Sequence, residues 1–322
     1  MNKNLARIIL IAAGAIMGVG FVVNKFILDN GWNESQLIFI RFFIATILIF
    51  LFYFKRIFKT NIQTIKSGLF LGVFLYLGFY FQTWGLNNTT ASNNALVTAG
   101  YIVLLPLIVY IMEKTKVPKK TIIAGFITLV GIGLITVDFK DLSNIALGDY
   151  LTFISAFFFA LHIYFLGKKA KQVDLFVLLA FQLLIFSCLA FIVMMINGGF
   201  PAVDFQDFDS SKLLYIAIIM GVFGSFLAYV FQGIGQKNTN ASEAAILIST
   251  ESLFGPLFAI LFLDEGFNAM FIVGAFLVFA GIVLSELDIN NFVKSINMKR
   301  KKLFKDSFIK ENIDQEKGIS EE

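Results

Sequence analysis

The sequence predicts an all-α integral membrane protein with ten transmembrane helices arranged as two inverted five-helix repeats. Three observations carry that expectation. Of the 322 residues, 58% are hydrophobic and only 15% charged, against about 25% charged in soluble domains, and the mean hydropathy is +0.81. The apolar residues gather into ten runs of membrane-spanning length, and the chain matches itself at an offset of 150 residues.

The first run, Leu5–Leu28, has Lys3 just before it and Arg7 at its start, ahead of an apolar stretch of about 20 residues. It exceeds the roughly 7–15 apolar residues of a secretory signal and no A-x-A site follows, so it reads as a span. Charges, Asn, Gly or Pro bound the others: Leu37–Phe54, Ser67–Leu86, Ala91–Met112, Thr121–Val137, Leu147–Leu166, Leu175–Ile196, Leu213–Gly235, Ser242–Leu263 and Ala269–Ser285. None alternates apolar with polar residues, as barrel strands do. Ten spans of about 20 residues leave no connection long enough for a folded extramembrane domain.

With Lys and Arg concentrated in cytoplasmic loops, an inside N-terminus places 14 of them in the inside connections and eight more in the C-terminal tail. Only Lys25, Lys140 and Lys212 then lie outside. Both termini are therefore expected in the cytoplasm of a multi-pass plasma-membrane protein. After the last span, Lys294, Lys299, Arg300, Lys301, Lys302 and Lys305 form a block suited to anionic headgroups, and the acidic end from Asp306 has the composition of a disordered tail.

The repeat is the most informative feature. Phe81, Gln82, Gly85, Asn88, Thr89, Ala91, Ser92, Ala95, Pro106 and Leu107 recur as Phe231, Gln232, Gly235, Asn238, Thr239, Ala241, Ser242, Ala245, Pro256 and Leu257. Ile122, Phe126, Gly131, Ile132, Leu134 and Asp138 recur as Ile272, Phe276, Gly281, Ile282, Leu284 and Asp288, giving 16 identities in the 58 positions from 81 to 138. Apolar helices match through composition, but the turn N-x-x-A-S with its flanking Gln and Pro does not. The repeats occupy residues 5–137 and 147–285, with 286–322 as the tail. Five spans per repeat is an odd number, so the second copy enters the membrane from the opposite side. Inverted repeats recur in secondary transporters, with substrate bound near the midplane between them.

Candidate pathway residues are the polar ones inside spans. Glu251 lies near mid-depth, where a carboxylate is costly and usually faces the bundle interior or a wet cavity. It is read as a site for a cationic group or a coupling proton, or as a protonated carboxyl joining two helices. Tyr101 is its repeat counterpart. His162, the only histidine, lies at similar depth; it is a packing residue or a partner of Glu251 in a proton relay. Gln82 and Gln232 line a pathway or bond across helices. Arg41, one turn into its span, is expected to snorkel to the outer surface. Trp84, Tyr76, Tyr80 and Tyr229 are expected in the interfacial belt or in packing. Asn240 with Glu243, and Thr90 with Asn93, have N-cap and N3 spacing. Pro106 and Pro256 are paired hinge candidates or static kinks. Gly14 with Gly18, Gly68 with Gly72, and Gly131 with Gly281 permit close helix approach.

With these residues in place, the sequence resembles the ten-helix EamA-type carriers of the drug/metabolite transporter superfamily, as two tandem copies over about residues 8–137 and 148–285. The resemblance rests on N-T-N-A-S-E-A-A at 238–245, E-S-L-F-G-P-L-F at 251–258, L-D-E at 263–265 and V-G-A-F-L-V-F-A-G-I at 273–282. Met17 stands before Gly18 where many members have Trp, and the first copy lacks the L-x-E ending. The resemblance implies a central cavity lined by spans one, three, four, six, eight and nine, with five and ten peripheral. It also implies export or import of amino acids, metabolites or drugs.

The function expected is alternating-access transport, in the export direction, of a small polar metabolite such as an amino acid, with a proton as candidate coupling ion. The partners are the substrate and the lipid bilayer, with no nucleic acid, and the protein is a monomer or homodimer. No cofactor or metal is expected, because a lone cysteine, Cys188, makes neither a disulfide nor a cysteine-rich site. Without a P-loop, G-x-S-x-G or H-E-x-x-H motif, the chain is not expected to be an enzyme. The alternatives are a non-transporting sensor, a lipid-modifying enzyme using His162 with Glu251, and a lipid or nucleotide-sugar flippase.

Overall fold

The computed structural model describes residues 1–114, 119–136, 146–203, 205, 208–266 and 268–286. The basic block at 294–305, the acidic tail, and the repeat pair Asp138 and Asp288 lie outside the described residues. Every element among the described residues is helical. In chain order they are α1 (Lys3–Asp29), α2 (Glu34–Ile57), α3 (Ile62–Asn87), α4 (Ala91–Thr98), α5 (Tyr101–Glu113), α6 (Lys119–Thr136), α7 (Leu147–Lys169), α8 (Leu175–Ile196), α9 (Phe208–Met220), a π-helical segment Gly221–Leu227, α10 (Ala228–Lys237), α11 (Ala241–Ile248), α12 (Glu251–Leu263) and α13 (Ala269–Glu286).

Taking α4 with α5, α9 through α10, and α11 with α12 as continuous rods, eight helices are long and apolar enough to cross a membrane. The other two, α6 and α13, have 18 residues each. At 1.5 Å per residue that is about 27 Å, close to the roughly 30 Å hydrocarbon core. The ten rods are the ten spans of the sequence.

In lipid there is no hydrophobic force to hold helices together, so close packing and polar bonds must do it. The principal contacts run between the repeats: α1 packs on α12 and α10, α3 on α7 and α8, α2 on α8, α4 on α12, and α6 on α13. Glycines set the spacing. A Cβ at Gly131 would stand 2.7 Å from the Gly274 carbonyl, and one at Gly274 2.7 Å from that of Gly131, so the α6–α13 backbones touch. On α1, a Cβ at Gly14 would meet the Ile248 carbonyl at 2.6 Å and one at Gly18 would meet Phe254 Cβ. Between α2, α3 and α8 the aromatics interlock instead, with Phe42 stacked on Phe186 at 3.7 Å and edge-on to Phe79 at 4.8 Å.

Two spans are interrupted at repeat-related places. The α4–α5 rod breaks at Ala99 and Gly100, and α11–α12 at Ser249 and Thr250, where right-handed residues make a tightened turn. There Ile102 N donates to Ala99 O, and Ser252 N donates to Ser249 O. The interruption falls upstream of the prolines: Pro106 and Pro256 lie within α5 and α12. Each proline has no N–H for the carbonyl four residues earlier, that of Ile102 or Ser252, so the ladder is thinned just after each break.

Candidate functional site

Tyr101 and Glu251 are the first residues after the two breaks, which brings both to the centre of the bundle. They line a cavity of about 50 Å³ with Gln82, His162 and Gln232, so the five pathway candidates of the sequence share one wall. Further lining comes from Met17, Gly20, Phe21 and Asn24 of α1, Arg41 of α2, Phe79 of α3, Phe159 and Ile163 of α7, Gly224, Tyr229 of α10 and Ile248 of α11. Every polar lining side chain is at most 8% exposed. Three pairs 150 residues apart face into it: Phe79 with Tyr229, Gln82 with Gln232, and Tyr101 with Glu251. The cavity therefore lies between the two repeats, and among the described residues none of its lining comes from α6 or α13.

Arg41 departs from expectation. It does not snorkel outward; it is 3% exposed and in the cavity wall. The facing π-helical segment packs closely on it: a Cβ at Gly221 would stand 2.9 Å from the Arg41 carbonyl, and one at Gly224 would lie in contact with Arg41 Nη2 at 3.5 Å. The guanidinium stands over the rings of Phe42 and Phe79, 5.7 and 5.9 Å from their centroids. No ion pair involves Arg41 among the described residues, and its Nε has no hydrogen-bond partner. Burying an ion costs several kcal/mol after relaxation, and cation–π contacts return about 0.5–2. Asn24, also absent from the sequence candidates, has an unpartnered Oδ1, as Gln232 has an unpartnered Oε1.

The acid is placed differently. Glu251 is 6% exposed, beside the hydroxyl of Tyr101, which donates to the Ala245 carbonyl at 3.3 Å. It does not pair with His162: the Nε2 of that ring lies 3.0 Å from Gln182 Oε1 on α8, and its edge faces Tyr229. Tyr229 is no belt residue. It lies in the chamber wall, its ring 6.3 Å from that of His162, while Tyr76 is buried in the aromatic core.

At the two ends of the bundle, carboxylates hold the entrances of the broken rods. Asn240 and Thr90 cap α11 and α4 as their spacing predicts, accepting from Glu243 N at 2.7 Å and Asn93 N at 3.1 Å. Beyond its place in the cap, the Glu243 carboxylate accepts from Arg7 Nε at 2.6 Å and Lys3 Nζ at 3.1 Å, tying α1 to α11. At the opposite end Glu265 accepts from Ala91 N at 2.8 Å and Ser92 N at 3.1 Å, holding the start of α4.

A chamber into which buried polar side chains project, between inverted repeats in an all-helical membrane bundle, is the architecture of a membrane transporter. The chain belongs to the EamA-like transporter family, which matches it twice, at residues 4–137 and 146–287. An uncharacterized transporter of Archaeoglobus fulgidus is 28% identical over 273 residues, covering 84% of this chain and 82% of the relative. One from Methanothermobacter thermautotrophicus is 24% identical over 204 residues, covering 62% of this chain and 58% of that one. A solved crystal structure at 13% identity shares the fold, with a TM-score of 0.66 over 89% of this chain and 98% of that one.

Proposed function

We propose that the protein is a secondary-active exporter of a small polar metabolite, such as an amino acid, working by alternating access in the plasma membrane with both termini in the cytoplasm. The observation that carries this reading is the chamber between the repeats, lined by repeat-related pairs and holding a buried acid. Inverted repeats exchange their conformations to open one side and then the other. In the orientation that the Lys and Arg distribution favours, Lys3 and Arg7 on Glu243 close the cytoplasmic end and Glu265 on the start of α4 closes the outer end. Weakening one clamp while the other holds is the elementary step of alternation. The breaks at 99–100 and 249–250 are where α5 and α12 reorient, with Pro106 and Pro256 lowering the cost of bending. Glu251 is proposed to bind a cationic group of the substrate or to carry the coupling proton, with Tyr101, Gln82, Gln232 and His162 completing the pathway.

Liposomes containing the purified protein test this. Wild type is expected to exchange a labelled small polar metabolite across the bilayer, faster under an imposed pH gradient, and Glu251→Gln to lose that acceleration. Transport unaltered by Glu251→Gln would take Glu251 out of the mechanism; no solute exchange by the wild type would remove the transporter reading.

A further inference from the structure

We propose that the groove between α3 and α7 at their cytoplasmic ends binds an anionic phospholipid of the inner leaflet, with its phosphate between Lys66 and Lys169 and an acyl chain over Phe70 and Phe165. This goes beyond the transporter reading; only the naming of the leaflet rests on the orientation proposed above. The two helices run antiparallel, and contacts at three heights fix their register. A Cβ at Gly85 would stand 2.7 Å from the Gly148 carbonyl, one at Gly78 would stand 2.8 Å from the Phe159 ring, and the Phe70 and Phe165 rings meet edge-on at 5.0 Å between centroids. Lys66 precedes Phe70 by four residues, and Lys169 follows Phe165 by four. In antiparallel helices both steps lead toward the same end of the bundle, by about 6 Å, and residues four apart share a face. The lysines therefore stand level with each other, one turn beyond the ring pair, and together with it they line one groove of about 560 Å³.

Two ammonium groups at one height repel each other, and an anion between them removes that cost. Among the described residues no carboxylate lines the groove and neither lysine enters an ion pair. Other cations at this end are taken: Lys168 by Glu113 at 2.9 Å, Arg56 by Asp174 at 3.5 Å, and Lys3 and Arg7 by Glu243. Gln63 and Ser67, in the same lining, offer hydrogen bonds to phosphate or ester oxygens. One turn deeper the lining is aromatic, and Phe70 is 42% exposed, which within a bilayer is exposure to lipid. Cations above an apolar floor match the order of phosphate and acyl chain in an anionic lipid. A free phosphate would answer the lysines and leave the floor unused. Because α3 belongs to the first repeat and α7 to the second, the bound lipid bridges the two.

The test uses the purified full-length chain, delipidated in mild detergent, with phosphatidylglycerol as the anionic probe and phosphatidylcholine of the same acyl chains as the neutral one. Titrations follow the midpoint of thermal unfolding, and a photoactivatable phosphatidylglycerol maps the contact. Phosphatidylglycerol is expected to raise the midpoint and to cross-link within residues 62–70 and 165–169. Lys66→Gln with Lys169→Gln is expected to weaken its apparent affinity about thirtyfold, the effect of two cations near a lipid surface, and Lys66→Arg with Lys169→Arg to retain it. Lys301→Gln with Lys302→Gln removes the same charge from the tail and is expected to leave the affinity little changed. Equal weakening by the two neutralised pairs would overturn the site, because net charge alone would then attract the lipid. Equal protection by phosphatidylcholine, or cross-links confined to other segments, would overturn it too. If glycerol phosphate or inorganic phosphate protects as well as the lipid, the acyl chain has no part and the lipid occupant is wrong. Should the neutralised groove variant not purify as a monodisperse protein, the wild-type cross-link map decides by itself.

Discussion

Arg41 and Glu251 are single residues whose roles depend on what surrounds them, and only one of them reveals its place from sequence. Glu251 sits in the middle of an apolar run, where a carboxylate has no lipid-facing option. Arg41 is one turn from a span end, where snorkelling is the cheaper expectation; the π-helical segment that it packs against, at Gly221 and Gly224, lies about 180 residues away in sequence. The same holds for Glu265. Its L-D-E setting is visible, but that it caps α4 is not, because the bond joins residues 174 apart. Glu265→Ala removes two charge-assisted bonds at a helix start, and a loss of about 1–3 kcal/mol should appear as a lower midpoint of thermal unfolding in mild detergent. An unchanged midpoint would mean that water replaces the carboxylate without cost.

At the scale of elements, the ten apolar runs locate the ten rods, yet the helices extend beyond them. α3 starts at Ile62 under an Asn61 cap, ahead of Lys66, because a helix continues into the headgroup layer after its side chains turn polar. The two breaks were less legible. Proline marks the right spans, but the turn falls at 99–100 and 249–250, set by local three-residue bonding that no single residue type announces. The π-helical segment Gly221–Leu227 had no signal beyond its two glycines. Small-residue spacing was a better guide. Gly18→Val inserts bulk against Phe254 and the Glu251 carbonyl, and should cost about 1–3 kcal/mol by overpacking, read as thermal destabilisation greater than that of Gly133→Val, where a Cβ meets nothing within 4 Å. At the Lys3–Arg7–Glu243 clamp, Lys3→Gln with Arg7→Gln should free α11, so that a cysteine at Ser242, in a Cys188→Ser background, reacts faster with a soluble maleimide. Equal rates would show that the clamp does not govern access.

The whole molecule follows from an odd number of spans per repeat. Orientation is a property of the entire chain, and the prediction belongs here: in a Cys188→Ser background, cysteine at Asn30 should be labelled by an impermeant maleimide in intact cells, and cysteine at Asn61 only after permeabilisation. The reverse pattern would invert the proposed direction of every step. The contacts between repeats, α1 on α12, α3 on α7 and α6 on α13, mean that neither repeat encloses the chamber alone.

The sequence by itself determined the class, because hydropathy, charge and the 150-residue self-match are properties of composition and order and need no contact to be read. It also named five of the polar residues that meet in the chamber, since a polar group inside an apolar run has few places to go. Only the tertiary structure decided which groups face one another: that Arg41 turns inward, that His162 bonds to Gln182 and not to Glu251, and that Glu265 holds α4. Those facts depend on distances between spans far apart in the chain, where close packing at glycines, and not local preference, sets the geometry.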